Sequence, residues 1–271
     1  MNRFEDFARA HGVLIEHAIS DGRIHRAATE AHPRKKNGSY KWTGEWGWVQ
    51  SWEEHERPIV FKPDHVPAHV VRRDMAAARA EEAALRKQAA QKAREILARC
   101  RVADHPYLAR KGFPEEDGFV DTDGRLVVPM RDAQDYKRIN SIQWIAEDGG
   151  KQFLYGGQAR GSVFMRGTGS DIWLCEGYAT GLSISAALGS MYRQARVVVC
   201  FSAHNVAHVA GLLSGRRFVV GDNDPNGVGA RYAASTGLPW AIPPEVGMDA
   251  NDLHQKHGVR ALVDLMRPLM R

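Results

Sequence analysis

The sequence predicts an α/β protein whose C-terminal part is built on a largely parallel sheet. From Asp171 onward, apolar runs begin at Ile172, Val197, Phe218 and Trp240, roughly 20 to 25 residues apart. Helical stretches lie between them: "ATGLSISAALGS", "HNVAHVAGLLSG" and "VGARYAASTG", with "ANDLHQKHGVRALVDLMRPLM" as a helical tail. Strands alternating with helices at this spacing imply parallel strands joined by crossover helices. Acidic residues follow the apolar runs directly, which places them at the carboxyl ends of the strands, the working edge of such sheets.

The preceding chain divides into three further parts. Residues 1–66 read as a small β-rich domain, because "SDGRIHRAAT" and "NGSYKWTGEWGWVQSW" combine turn signals with aromatic alternation. Trp42, Trp46, Trp48 and Trp52 fall close to Arg34, Lys35, Lys36 and Lys41. Such rings either form the core of the domain or offer stacking faces to single-stranded nucleic acid. Residues 67–103 read as one long basic helix and linker, because "RRDMAAARAEEAALRKQAAQKAREILARC" is rich in Ala, Glu, Lys and Arg and contains no Gly or Pro. Its apolar stripe is weak and mostly alanine, the pattern of a solvated spacer. Residues 104–168 form a strand-rich block in which "GRLVVPMRD" and "RINSIQWIAEDGGKQFLYGG" alternate apolar and polar residues. Residues 169–271 hold the α/β domain.

Composition narrows the class. The 271 residues are 44% hydrophobic, enough for one large core or two modest ones. No apolar run approaches the ~18 residues needed to cross a bilayer, and the N-terminal "MNRFEDFARAHG" lacks an apolar signal segment. Cys100, Cys175 and Cys200 form no C-x-x-C pair, which fits a reducing compartment and argues against a zinc ribbon. The expected location is the cytoplasm, with no membrane partner. Net charge is +5, and Arg72 to Arg101 alone carry nine Lys/Arg against four Asp/Glu. That excess is compatible with nucleic acid.

The chemistry gathers on three acidic segments. Glu176 ends "DIWLCEG", Asp222 and Asp224 end "RFVVGDND", and Asp249 and Asp252 lie in "GMDANDLH". Asp222 and Asp224 are two apart, so in extended backbone they share a side. At about 5 Å and an effective dielectric near 20 they repel by roughly 3 kcal/mol, a cost that a divalent cation offsets. An all-carboxylate set favours Mg²⁺ or Mn²⁺. "DNDPNG" also matches the first half of an EF-hand, but the twelfth position is Ala233 where that loop needs Glu. A plain turn is the remaining alternative. There is no Walker lysine motif and no G-x-G-x-x-G.

"WLCEGYATGLS" followed by "VVGDNDPNG" resembles the Toprim domain, the metal-binding fold shared by bacterial-type primases, topoisomerases and some nucleases. "HPYLARKGF", "LVVPMRD", "GGKQFLYGG" and "GSVFMRG" resemble, in order, the basic subdomain that precedes Toprim in bacterial-type primases. "DGRIHR" and "DANDLHQKHG" look like the phage and plasmid branch. The resemblance covers nearly the whole chain and implies a Toprim-like parallel sheet flanked by helices. It implies a DNA primase that takes a single-stranded DNA template and ribonucleoside triphosphates, and it admits a replicative helicase as partner. Glu176, Asp222 and Asp224 match the catalytic acids of that family, with Asp252 or Asp249 completing a shell for two Mg²⁺ or Mn²⁺ ions. Lys111, Arg131, Arg138, Lys151 and Arg166 would line the template and nucleotide track. A Toprim metal-dependent nuclease, with the same metals and water as nucleophile, is one alternative; the family's second acid, four residues after the Glu, is Thr180 here, which keeps a catalytically weak single-strand or helicase-binding module as the other.

Overall fold

The computed structural model describes residues 4–52, 54, 55, 57–63 and 68–271. The boundary expected at residues 66 and 67 lies outside the described residues. The chain divides into two compact units, Met1–Glu81 and Glu82–Arg271.

The first unit opens with helix α1 (Phe4–Ala10), followed by β1 (Val13–Leu14), β2 (Ile24–Thr29), β3 (Gly38–Trp42), β4 (Gly47–Ser51) and β5 (Ile59–Phe61). These strands form an antiparallel sheet in sequence order, as strands joined by short polar turns do. Its core is aromatic. Phe4 of α1 stacks on Trp42 at 4.5 Å between centroids, and the Phe61 ring meets Phe4 edge-on at 5.8 Å. Ala27, Tyr40 and Val49 complete this face. The tryptophans therefore divide: Trp42 packs in the core, Trp46 is 2% exposed, and Trp52 is 37% exposed.

Helix α2 (Ala68–Arg99) is the long basic helix. Residues 81–88 are solvated, as a spacer would be. From Ala89 on, the alanine stripe docks instead: Ala89 and Ala93 are buried with Val127, Ile142 and Leu154, flanked by Ile96 and Leu97. The spacing 89, 93, 96, 97 is one helical face, and the small side chains of Ala89 and Ala93 let that part of the backbone lie close to a sheet.

That sheet has ten strands. One wing holds β6 (Arg101–Ala103), β7 (Gly118–Val120), β8 (Leu126–Asp132), β9 (Ile139–Ile145) and β10 (Lys151–Phe153), with the short helix α3 (Pro106–Arg110) between β6 and β7. The other wing holds β12 (Asp171–Cys175), β13 (Ala195–Val199), β14 (Arg217–Val220) and β15 (Trp240–Ala241). These four are parallel in the order β13-β12-β14-β15. Strand β11 (Ser162–Arg166) joins the wings, antiparallel to β8 on one side and to β13 on the other.

The parallel strands are apolar on both faces because helices cover both. Helices α4 (Tyr178–Ser190) and α7 (Ala250–Met266) bury Trp173, Val197 and Phe218 on one face. Helices α5 (Ala203–Leu212) and α6 (Val228–Ser235) cover Ile172, Leu174, Val198 and Val219 on the other. The chain steps from β12 to β13 on one side and then to β14 on the other. Such a reversal opens a crevice at the carboxyl ends of the two central strands, here β12 and β14.

Candidate active site

Glu176 follows β12 and Asp222 follows β14, adjacent parallel strands paired from Ile172–Arg217 to Leu174–Val219. The crevice therefore receives one carboxylate from each side. Burial pushes the Glu176 carboxyl up to about 7, reinforced by Asp224 and opposed by the backbone N–H groups of Ala203 and Asp222. Burial likewise raises Asp222 to about 8, with Glu176, then Asp249 and Asp224, adding to the shift. Lys151 pulls both groups the other way. Asp224 and Lys151 thus act through space on both carboxylates, and Asp249 on Asp222.

The loop after β14 is tightly held. Asn223, between the two aspartates, receives an N–H bond from Gly247 at 2.6 Å and donates its own N–H to Met248 at 3.0 Å. Its amide Nδ2 donates to the Pro243 carbonyl at 2.9 Å. These bonds tie the loop to the segment entering α7 and bring Asp249 toward Asp222. On the other side, the Gly229 N–H donates to Asp224 Oδ2 at 2.6 Å. The chain turns into α6 at Gly227, whose φ of 66° is the left-handed conformation that favours glycine.

Asp249 and Asp252 form a capping box at the start of α7. Asp249 Oδ1 accepts from the Asp252 N–H at 2.8 Å, and Asp252 Oδ2 accepts from the Asp249 N–H at 3.1 Å. Asp252 Oδ1 also lies 3.7 Å from Lys111 Nζ. Two bonds from α7 hold the Lys111 turn: Asn251 Nδ2 to the Lys111 carbonyl at 2.9 Å, and Gln255 Nε2 to the Arg110 carbonyl at 2.7 Å. The "HPYLARK" segment is shaped locally as well. His105 caps α3, its Nδ1 accepting from the Tyr107 N–H at 3.2 Å while its Nε2 bonds the Gly124 carbonyl at 3.0 Å.

The other basic residues fall elsewhere in the wing. Arg131 donates to the Tyr136 carbonyl at 3.3 Å across the β8–β9 hairpin, and Arg138 forms an ion pair with Asp132. Arg166 engages both oxygens of Glu116, which raises its pKa. It pairs with Glu116 rather than with a carboxylate of the crevice. Thr180 is buried in α4.

Sequence reasoning passed over three positioning residues. Asn205 in α5 accepts from the Gly161 N–H at 2.8 Å and donates to the carbonyls of Cys200 and Ser162 at 2.7 and 2.9 Å, which clamps the entry to β11. Asn251 and Gly229 are the others. A polar amide inside an otherwise apolar helix was the available signal for Asn205.

Among the described residues, no three His, Cys, Asp or Glu side chains are drawn together closely enough to hold a metal ion. The chemistry of the crevice nonetheless fits a hard divalent cation. Asp222 Oδ1 is buried and has no hydrogen-bond partner, and neighbouring carboxylates are forced together in a partly desolvated site. Oxygen donors of this kind suit a hard divalent cation.

No family model matches the chain. Among solved structures, one chain from the complex of bacteriophage T7 lagging-strand DNA polymerase with primase domains bound to an RNA/DNA hybrid and dTTP is similar over 64% of this chain and 92% of its own length, at 13% identity and a TM-score of 0.43. The primase fragment of the bacteriophage T7 primase-helicase protein is similar over 59% of this chain and 68% of its own, at 16% identity and a TM-score of 0.40. The DnaG catalytic core is similar over 53% of this chain and 52% of its own, at 17% identity and a TM-score of 0.38. At these identities and scores the likenesses assign no activity to this chain.

Proposed function

We propose that this protein is a DNA primase that makes short RNA primers on single-stranded DNA by metal-dependent nucleotidyl transfer, on a Toprim-type sheet. The observation that carries this reading is the pair Glu176 and Asp222, two half-buried carboxylates at the switch point of the parallel sheet, with Asp222 Oδ1 buried and without a hydrogen-bond partner. The order of sequence motifs around it supports a primase over other users of such a site.

Glu176, Asp222 and Asp224 would hold Mg²⁺ or Mn²⁺, with Asp249 near enough in charge to contribute. When bound, such ions supply Lewis-acid stabilisation of the triphosphate and of the attacking oxygen. In the transfer, the primer 3′-oxygen bonds to the α-phosphorus of the incoming ribonucleotide, its proton passes to solvent, and pyrophosphate leaves. Lys151 acts on both carboxylates and would meet the triphosphate. It lies on β10, which pairs with β9, so it shares a wing with Arg131 and Arg138. Those two and Lys111 would contact template phosphates. Single-stranded DNA, ribonucleoside triphosphates and a replicative helicase are the partners this reading calls for.

The test incubates the protein with single-stranded DNA, ribonucleotides and Mg²⁺ or Mn²⁺. Short RNA products, lost in Glu176→Gln and Asp222→Asn, are expected. DNA degraded without synthesis would instead assign a nuclease using water as nucleophile, and binding with neither product would leave a single-strand binding module.

A further inference from the structure

The sheet of the N-terminal unit has two unlike faces. One packs on α1 through Ala27, Tyr40 and Val49. Side chains alternate along a strand and directly paired residues share a face. The register Ile24–Lys41, Lys41–Trp48 and Trp48–Val60 therefore places these four together on the opposite face. Arg26 joins them, two residues from Ile24. Trp52 reaches the same face, because its Nε1 donates at 3.2 Å to the hydroxyl of Ser39, the residue paired with Arg26. This face is open: Ile24 is 62% exposed, and Val60 and Trp52 are each 37% exposed.

Its chemistry is one-sided. Strands β2 to β5, "IHRAAT", "GSYKW", "GWVQS" and "IVF", contain no Asp or Glu. Arg34, Lys35 and Lys36 are exposed in the turn that leads into β3. Outside the helices, the described acids of this unit, Glu16, Asp21, Glu30, Glu45 and Glu54, lie between the strands, Glu54 in the turn that follows Trp52. The Arg26 guanidinium lies 3.6 Å from the centroid of the Trp52 ring, and its Nε donates to the Lys36 carbonyl at 3.2 Å. The contact fixes a cation beside an exposed aromatic on an acid-free sheet.

We infer that this face binds single-stranded nucleic acid, with Trp52 and Trp48 stacking bases and Arg26, Lys41 and the 34–36 turn meeting phosphates. A peptide strand would need a free edge rather than a face. An apolar partner would find cations across the middle of the patch. A single strand needs this combination: π-faces for bases whatever their sequence, and positive charge along the backbone track. Duplex fits less well, because its bases are already stacked. The inference stands on the N-terminal unit alone and is independent of the carboxylate site.

The experiment measures fluorescence anisotropy of a labelled oligo-dT of about 20 nucleotides, longer than one site, with the full chain. Oligo-U and a duplex are run as further arms. Trp52→Ala and Arg26→Glu/Lys41→Glu are each expected to weaken single-strand binding by at least about fivefold, the lower end for one lost base stack. The charge-reversal variant should also flatten the dependence of log affinity on log salt by about 0.7 per lost contact. Arg26 is exposed, so that variant remains a fair test if Trp52→Ala fails to fold, with circular dichroism confirming an intact protein. Unchanged affinity and salt slope in the folded variants overturns the inference, as does duplex binding equal to single-strand binding. Binding is measured in EDTA and without ribonucleotides, where no primer synthesis is possible, so a failure of the catalytic reading is seen separately.

Discussion

The Gly229 N–H donates to Asp224 Oδ2 at 2.6 Å, and a Cβ on Gly229 would lie 2.3 Å from the Asp222 carbonyl oxygen. The first turn of α6 therefore both anchors one aspartate and presses against the backbone of the other. Gly229→Ala must displace that backbone. Its expected effect is a loss of primer synthesis of roughly 10²-fold or more, since misplacement of about 1 Å costs that much. The accompanying fall in Tm should be modest. Comparing product yield with the melting curve checks this.

Asp222→Asn should separate activity from stability. Removing this charge relieves repulsion by Glu176, Asp249 and Asp224. In the absence of metal above about pH 7, the variant should melt higher than the parent by several degrees, a gain of about 1–3 kcal/mol. Primer synthesis should fall by roughly 10²–10⁴-fold, the equivalent of several kcal/mol of lost charge stabilisation. A lower melting temperature in EDTA would count against a strained carboxylate cluster.

The metal-free protein should lose stability as pH rises. Glu176 is raised to about 7 and Asp222 to about 8 by burial and by neighbouring carboxylates. Between about pH 4 and pH 8 the folded protein thus holds protons that the unfolded chain has released, so stability falls across this window. Below it both states are protonated, and above it the full cost is present. Calorimetric melts in EDTA should show this slope, flattened in Asp222→Asn. Mg²⁺ or Mn²⁺ should restore Tm most at the alkaline end.

Asn205→Ala should destabilise by about 2–4 kcal/mol, because it leaves the Gly161 N–H and the Cys200 and Ser162 carbonyls without their partner. Denaturant titration with an unchanged m-value checks that the loss lies in the native state.

The parallel wing was legible because it is local. Runs beginning at Ile172, Val197, Phe218 and Trp240 fall in or at the start of β12 to β15, and the helices between them fall where their composition places them. The positions of Glu176, Asp222 and Asp224 at strand ends followed from the same pattern. Helix α2 was legible as a helix, but its docking from Ala89 was not, since small alanines give a weak apolar stripe whose role depends on what lies opposite. The pairing of Arg166 with Glu116 spans 50 residues and leaves no trace in local sequence.

Residue order alone was enough to specify strand–helix alternation and the acids at strand ends, because each depends on side-chain periodicity within one segment. Three further features were decided by the tertiary structure. The order β13-β12-β14-β15 makes β12 and β14 neighbours and sets Glu176 beside Asp222. Strand β11 joins residues 104–168 and 169–271 in one sheet. The N-terminal sheet divides its tryptophans between a core and an open face. These are long-range choices, made by which apolar faces bury one another and which charges that burial forces together, and no single segment encodes them.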